Sequence, residues 1–202
     1  MHPGAEAEQT MGMPLTHDHL YTVDEVRALA EADPRNKYEV IDGELFVSPS
    51  PRRAHERAVR EFIVALHAYL ALHPEVGEVF AGGDVETGPR TCLEPDVLVV
   101  PFEPPGATAR EWDVGLRARL VIEVLSPSTA SVDRLRKRPV YLGVGAEYWI
   151  VDAEARAVER WAPGAAAGEV RVDTITWRPD GVSDAFVVEL PDVFARVNGE
   201  RR

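Results

Sequence analysis

A chain of 202 residues, 45% hydrophobic and 28% charged, is sized for one soluble domain with a good core and is too short for two comfortable ones. Its net charge of -12 argues against a module whose main task is to hold nucleic acid, although a metal site built from carboxylates would itself add negative charge. No apolar stretch approaches the ~20 residues of a membrane-spanning helix, which speaks against a membrane partner. Met1–Thr16 lacks the basic-then-apolar pattern of a secretory signal. The single cysteine, Cys92, excludes an internal disulfide and a cysteine-cluster zinc site, fits a cytoplasmic setting, and reads as a small buried side chain.

Residues 1–17 read as a flexible N-terminal tail, 18–197 as a single domain and 198–202 as a C-terminal tail. His17 and His19 are spaced for metal only loosely, and a mobile tail accounts for them better. Thr22 and Glu25 form a capping box for a helix over 23–31. Asp42-Gly43 lies between the apolar runs Tyr38–Ile41 and Glu44–Val47, a strong hairpin signal. Ser50 is a suitable N-cap and Pro51 a suitable first residue for a long helix with the stripe Val59, Phe62, Ile63, Leu66, Tyr69 and Leu70, ending before Pro74. Strand signals follow, with turns at Gly82-Gly83 and Gly88-Pro89, then an irregular loop over 101–115. A short helix near 132–142, a core strand Tyr148–Val151 and further strands at 156–161, 170–177 and 185–190 complete the chain. Helices between strands in the middle and hairpins at both ends make an α/β (α+β) domain on a mixed sheet.

Two acids stand out. Asp96 opens the run Pro95–Val100, and Glu123 sits inside Leu120–Leu125. Nearly continuous apolar runs of this length read as central strands covered on both faces. An ionised carboxylate there costs several kcal/mol unless it is compensated. If the strands are neighbours, the two acids can share one hard cation such as Mg²⁺ or Mn²⁺; alternatively each has its own arginine or backbone amides. Spacing leaves both readings open.

Downstream, Asp133, Lys137 and Tyr141 recur at i, i+4 and i+8 and share a helix face, from which Lys137 could reach back over the strand end. Pro139, inside that helix, predicts a lost backbone hydrogen bond and a tilted face. Arg134, Arg136, Lys137 and Arg138 form a dense positive cluster, either a solvated helix face or a set of phosphate contacts. His55, on the apolar stripe of the long helix, is read as a satisfied core or cap histidine, or else as a cleft residue touching phosphate. Glu44 is either a solvent-facing residue beside the hairpin turn or a further metal or water contact. Trp149 is read as core rather than as a platform for a base.

Taken in order, Tyr38–Leu45, Ser48–Pro51 with His55, Pro95-Asp96, Glu123–Thr129, Asp133…Lys137…Tyr141 and Glu147–Asp152 resemble the Uma-type restriction endonuclease family over roughly residues 20–195. That family is similar to the PD-(D/E)XK nuclease superfamily, so the resemblance implies a restriction-endonuclease-like mixed sheet flanked by helices, with additional antiparallel strands at both ends. It also implies Mg²⁺- or Mn²⁺-dependent hydrolysis of DNA phosphodiester bonds, with Asp96 and Glu123 as metal ligands. Glu44 would assist; His55, Arg134, Arg138 and Tyr141 are candidate phosphate contacts by their own chemistry and position. Leu125 stands where the motif lysine belongs, which implies that the lysine has moved to the following helix as Lys137. A homodimer that cuts two strands is a further implication. Two other readings remain: a nuclease-like fold serving as an interaction or regulatory module, and hydrolysis of a small phosphorylated compound.

Overall fold

The computed structural model describes residues 19–102, 117–127 and 129–200. The tail expected at 1–17, most of the loop expected at 101–115, Ser128 of the turn after Leu125, and the last two residues of the C-terminal tail lie outside the described residues.

The chain opens with α1 (Val23–Ala32), whose start carries the reciprocal Thr22–Glu25 capping box. Next come β1 (Asn36–Ile41) and β2 (Glu44–Pro49), paired antiparallel around Asp42-Gly43. Both turn residues have positive φ, 52° and 84°, as a tight two-residue hairpin turn requires. The long helix α2 (Arg53–Leu72) buries Ala58, Phe62, Leu66 and Leu70. It starts two residues later than the Ser50 cap predicts. β2 runs on to Pro49, and the Ser50 hydroxyl is spent on the Arg35 carbonyl at the open end of the hairpin, so Arg52 becomes the N-cap without a side-chain bond.

Four strands follow: β3 (Glu78–Ala81), β4 (Val85–Gly88), β5 (Thr91–Leu93) and β6 (Val97–Val100). Then come β7 (Leu120–Val124), a helical crossover, β8 (Glu147–Asp152) and β9 (Ala157–Trp161). The chain closes with β10 (Glu169–Arg171), β11 (Thr174–Trp177), β12 (Phe186–Glu189) and α5 (Leu190–Val197). The expected single strand at 170–177 therefore divides, and its halves join different sheets.

Six strands in the order β10-β9-β8-β7-β6-β3 make the central sheet. The β7–β8 pair is parallel, and the other four pairings are antiparallel, so the sheet is mixed. A four-stranded sheet, β2-β1-β5-β4, and the two-stranded β11-β12 complete the described strands. On one side of the central sheet, Val97, Val99, Leu120, Ile122, Val124, Trp149 and Val151 pack with α2, α5 and the β11-β12 ribbon. The opposite side contributes Leu98, Val100, Val121, Tyr148 and Ile150 to a second core with Ile41, Phe46, Leu93 and Tyr141. Cys92 is buried and free, and burial pushes its thiol up to about 12.

The parallel β7–β8 link obliges the chain to cross over, and the crossover is not one regular helix. A single turn, α3 (Ala130–Val132), leads into a π-helical turn at Asp133–Lys137 and then α4 (Arg138–Gly143). Pro139 causes less disruption than its place within a continuous helix predicts. The π turn ends just before it, so Pro139 falls in the first turn of α4, a position where proline is tolerated.

Candidate active site

The β6–β7 register pairs Val97 with Ile122, which sets Asp96 opposite Glu123 at the strand ends. The same pleat that sends Ile122 and Val124 into the α2 side turns Glu123 to the other side, among Tyr141, Tyr148 and Ile150. The Val124 amide donates to Asp96 Oδ2 at 2.8 Å, and His55 Nε2 lies 3.0 Å from the same oxygen. His55 stands in the first turn of α2, so the long helix delivers it to the strand end. With Nε2 on the carboxylate, its buried Nδ1 has no hydrogen-bond partner among the described residues.

Lys137 lies deeper, with a side chain 3% exposed. Its Nζ is 2.8 Å from Glu39 Oε2, 3.0 Å from Glu123 Oε1 and 3.2 Å from Asp133 Oδ1. Tyr141 donates its hydroxyl to the same Glu123 oxygen at 2.9 Å. The π turn explains why residues spaced i, i+4 and i+8 still converge. Its i→i+5 bonds widen the turn and offset the drift that α-helical spacing would accumulate, keeping Asp133, Lys137 and Tyr141 on one face. Glu39 reaches this group from β1, and its other carboxylate oxygen accepts the Glu94 amide at 3.0 Å. Lys37, two residues earlier on the same side of β1, stands 3.7 Å from Asp96 Oδ1 and 3.9 Å from Glu39 Oε1.

Four acids (Glu39, Asp96, Glu123 and Asp133) thus face two ammonium groups and one imidazole. Burial alone would raise all four. For Asp96 the His55 hydrogen bond and Lys37 win, holding its carboxyl well below the usual range. For Glu39 the two lysines win, and its carboxyl is also lowered. Glu123 bears the deficit: burial, reinforced by Asp96 and Asp133, outweighs both lysines and pushes it up to about 8. Burial likewise raises Asp133. Lys137 is held well above its ordinary value, because Glu123, Glu39 and Asp133 together outweigh its burial. Among the described residues no group of three or more His, Cys, Asp and Glu side chains has metal-holding geometry.

The other residues singled out from sequence lie elsewhere. Glu44 is paired with Arg136 at 2.5 Å, and Arg136 also sits over the Phe46 ring. Arg134 donates to Glu159 Oε1 at 2.6 Å and lies 3.8 Å from Asp152. Arg138 stacks on Trp161 with its guanidinium carbon 4.0 Å from the ring centroid. The positive cluster of the crossover is therefore shared out among separate partners. Trp149 is fully buried and donates to Glu147, itself paired with Arg160. Glu39 and Lys37 were not singled out from sequence. Glu39 carried the same signal as Glu123, a charge inside an apolar run, but sat next to a hairpin turn where an acid looks ordinary.

A model of the Uma2 family, described as "putative restriction endonuclease", matches residues 23–190. The chain belongs to this family. A crystal structure of a "putative nuclease" from Anabaena variabilis is similar in fold, with a TM-score of 0.68 at 20% identity, covering 88% of this chain and 99% of that one. No curated protein matches the chain. No described helix is long and apolar enough to cross a membrane.

Proposed function

We propose that the protein is a Mg²⁺- or Mn²⁺-dependent endonuclease that hydrolyses DNA phosphodiester bonds in the cytoplasm. The observation that carries this reading is the pair Asp96 and Glu123, opposed across two core strands with Glu123 left short of positive charge. Mg²⁺ is commonly held by one or two carboxylates together with waters and substrate phosphates, so two converging acids have the right chemistry without a third protein ligand. A cation there would also supply the missing charge. When bound, it would activate water and neutralise charge on the phosphate. The chain's own residues act around it. Asp96 is oriented by the Val124 amide and His55, and Glu123 by Tyr141 and Lys137.

Mn²⁺-dependent nicking of supercoiled plasmid, lost in Asp96→Asn and Glu123→Gln, is the expected result. Isothermal titration should show Mn²⁺ binding that both variants weaken. Wild-type protein that neither binds Mn²⁺ nor nicks DNA would rule the reading out. A non-cutting interaction module is the second reading, and one observation favours it: the Lys137 ammonium is 3% exposed and enclosed by three carboxylates. Pairing of two copies for double-strand cutting belongs to the nuclease reading and is tested by sedimentation of the protein with and without a DNA duplex.

A further inference from the structure

The two lysines of the site differ in what their ammonium groups have left to give. An ammonium has three donors. Lys137 is enclosed by three carboxylates within 3.2 Å, donates a hydrogen bond to Glu123 and is 3% exposed, so a substrate oxygen reaches its ammonium only by displacing an acid inside the core. Lys37 is different. Its nearest carboxylate oxygens among the described residues are 3.7 and 3.9 Å away, beyond hydrogen-bond length, and a quarter of its side chain is exposed. It lies on the outer side of the cluster with Asp96 and His55, whose side chains are 13% and 16% exposed.

We propose that Lys37, on β1, is the catalytic lysine: its ammonium donates to a non-bridging oxygen of the scissile phosphate, while Lys137 serves as the positioning residue for Glu123. This rests on the nuclease reading above. During hydrolysis a water oxygen bonds to phosphorus, and the bond from phosphorus to the leaving oxygen breaks with its electron pair on that oxygen. One water proton ends on the leaving hydroxyl, and the other is released to solvent from the new phosphomonoester. Charge grows on the non-bridging oxygens as this happens. A fixed cation with a free donor is worth most at that point, and Asp96 and Glu39 hold Lys37 in place from the protein side without saturating it.

The test compares Lys37→Met, Lys37→Arg and Lys137→Met in the full chain. Lys37→Met should slow plasmid nicking by about 100-fold, the loss typical of one transition-state donor. It should lower the melting temperature and weaken Mn²⁺ binding by less than Lys137→Met does, and by far less than it slows nicking, and Lys37→Arg should restore part of the rate. Binding of a labelled duplex in Ca²⁺ gives a second readout: the slope of log K against log salt should fall by about 1, the signature of one lost phosphate contact. Lys137→Met should instead lower the melting temperature and weaken Mn²⁺ binding. Wild-type nicking and salt slope in Lys37→Met would overturn the assignment. So would loss of Mn²⁺ affinity in step with the rate, which would make Lys37 a support for Asp96. Lys37→Gln is the further variant should Lys37→Met not fold, and wild-type nicking by it overturns the assignment as well. An inert wild type that binds no Mn²⁺ would remove the nuclease reading, and this role with it. An active wild type with an active Lys37→Met removes this role alone.

Discussion

On the α2 side of the central sheet, β6, β7 and β8 present Val97, Val99, Leu120, Ile122, Trp149 and Val151 to a layer that is apolar apart from the Glu147–Arg160 pair beside Trp149. On the other side the same strands present Leu98, Val121 and Ile150, but with Glu123 in their midst, and Glu39, Asp133 and Lys137 are buried against it. One residue of pleat separates the two surfaces. The first is held by dispersion and water exclusion, and a change of shape costs it a cavity. The second is held by a charge balance in a low-dielectric interior, where losing one member leaves the others uncompensated. A purely structural domain would gain more from filling both sides with hydrocarbon. The retained acids are therefore the part of the molecule that folding alone does not explain.

The comparison can be broken most forcefully at Lys137. Lys137→Met leaves Glu39, Glu123 and Asp133 without their shared cation and should cost about 3–5 kcal/mol, read as a shift of the urea unfolding midpoint. Phe62→Ala tests the apolar side. It opens a cavity beneath α2 and should cost a similar ~3–5 kcal/mol while leaving Mn²⁺ affinity in place, since Phe62 packs in the apolar cluster on the side of the sheet away from Glu123.

The dependence on pH separates the sides next. Glu123 binds its proton more tightly folded than unfolded, so its contribution to stability is greatest below the ordinary carboxylate value of 4.5. That contribution is lost as pH rises toward about 8. Asp96 behaves oppositely: it stabilises above 3.8, and the contribution fades as pH falls below that. Melts in chelator should show a decline between pH 5 and 8 that Glu123→Gln flattens and Phe62→Ala does not. The smallest effect belongs to the surface. Arg134→Ala breaks a partly exposed pair with Glu159 and should shift stability by no more than about 1 kcal/mol, because solvent screens it.

Much of this was legible in the residues. The Thr22–Glu25 cap, the Asp42-Gly43 turn, the buried stripe of α2 and the two acids in apolar runs all follow from local chemistry, because each signal lies within a few residues of what it determines. The shared face of Asp133, Lys137 and Tyr141 also follows from spacing alone, and the π turn within it does not. Nor did spacing reveal that Arg134, Arg136 and Arg138 would each find a different partner. A run of four cations in sequence looks like one patch until the strands beneath it assign Glu159, Glu44 and Trp161 to separate members.

The sequence by itself determined that Glu123 would be buried and that Asp96 would stand at the mouth of a buried strand, because an apolar run encloses the first and follows the second. Only the tertiary structure decided which charges answer them. Lys37 and Glu39 come from a hairpin in another sheet, His55 from the start of a long helix, and Lys137 from a crossover whose length is set by the parallel β7–β8 pair. Ion pairs between such distant segments depend on strand register and helix phase, which no local pattern encodes. For that reason the question of which lysine meets the phosphate appeared only once the two ammonium groups could be compared in place.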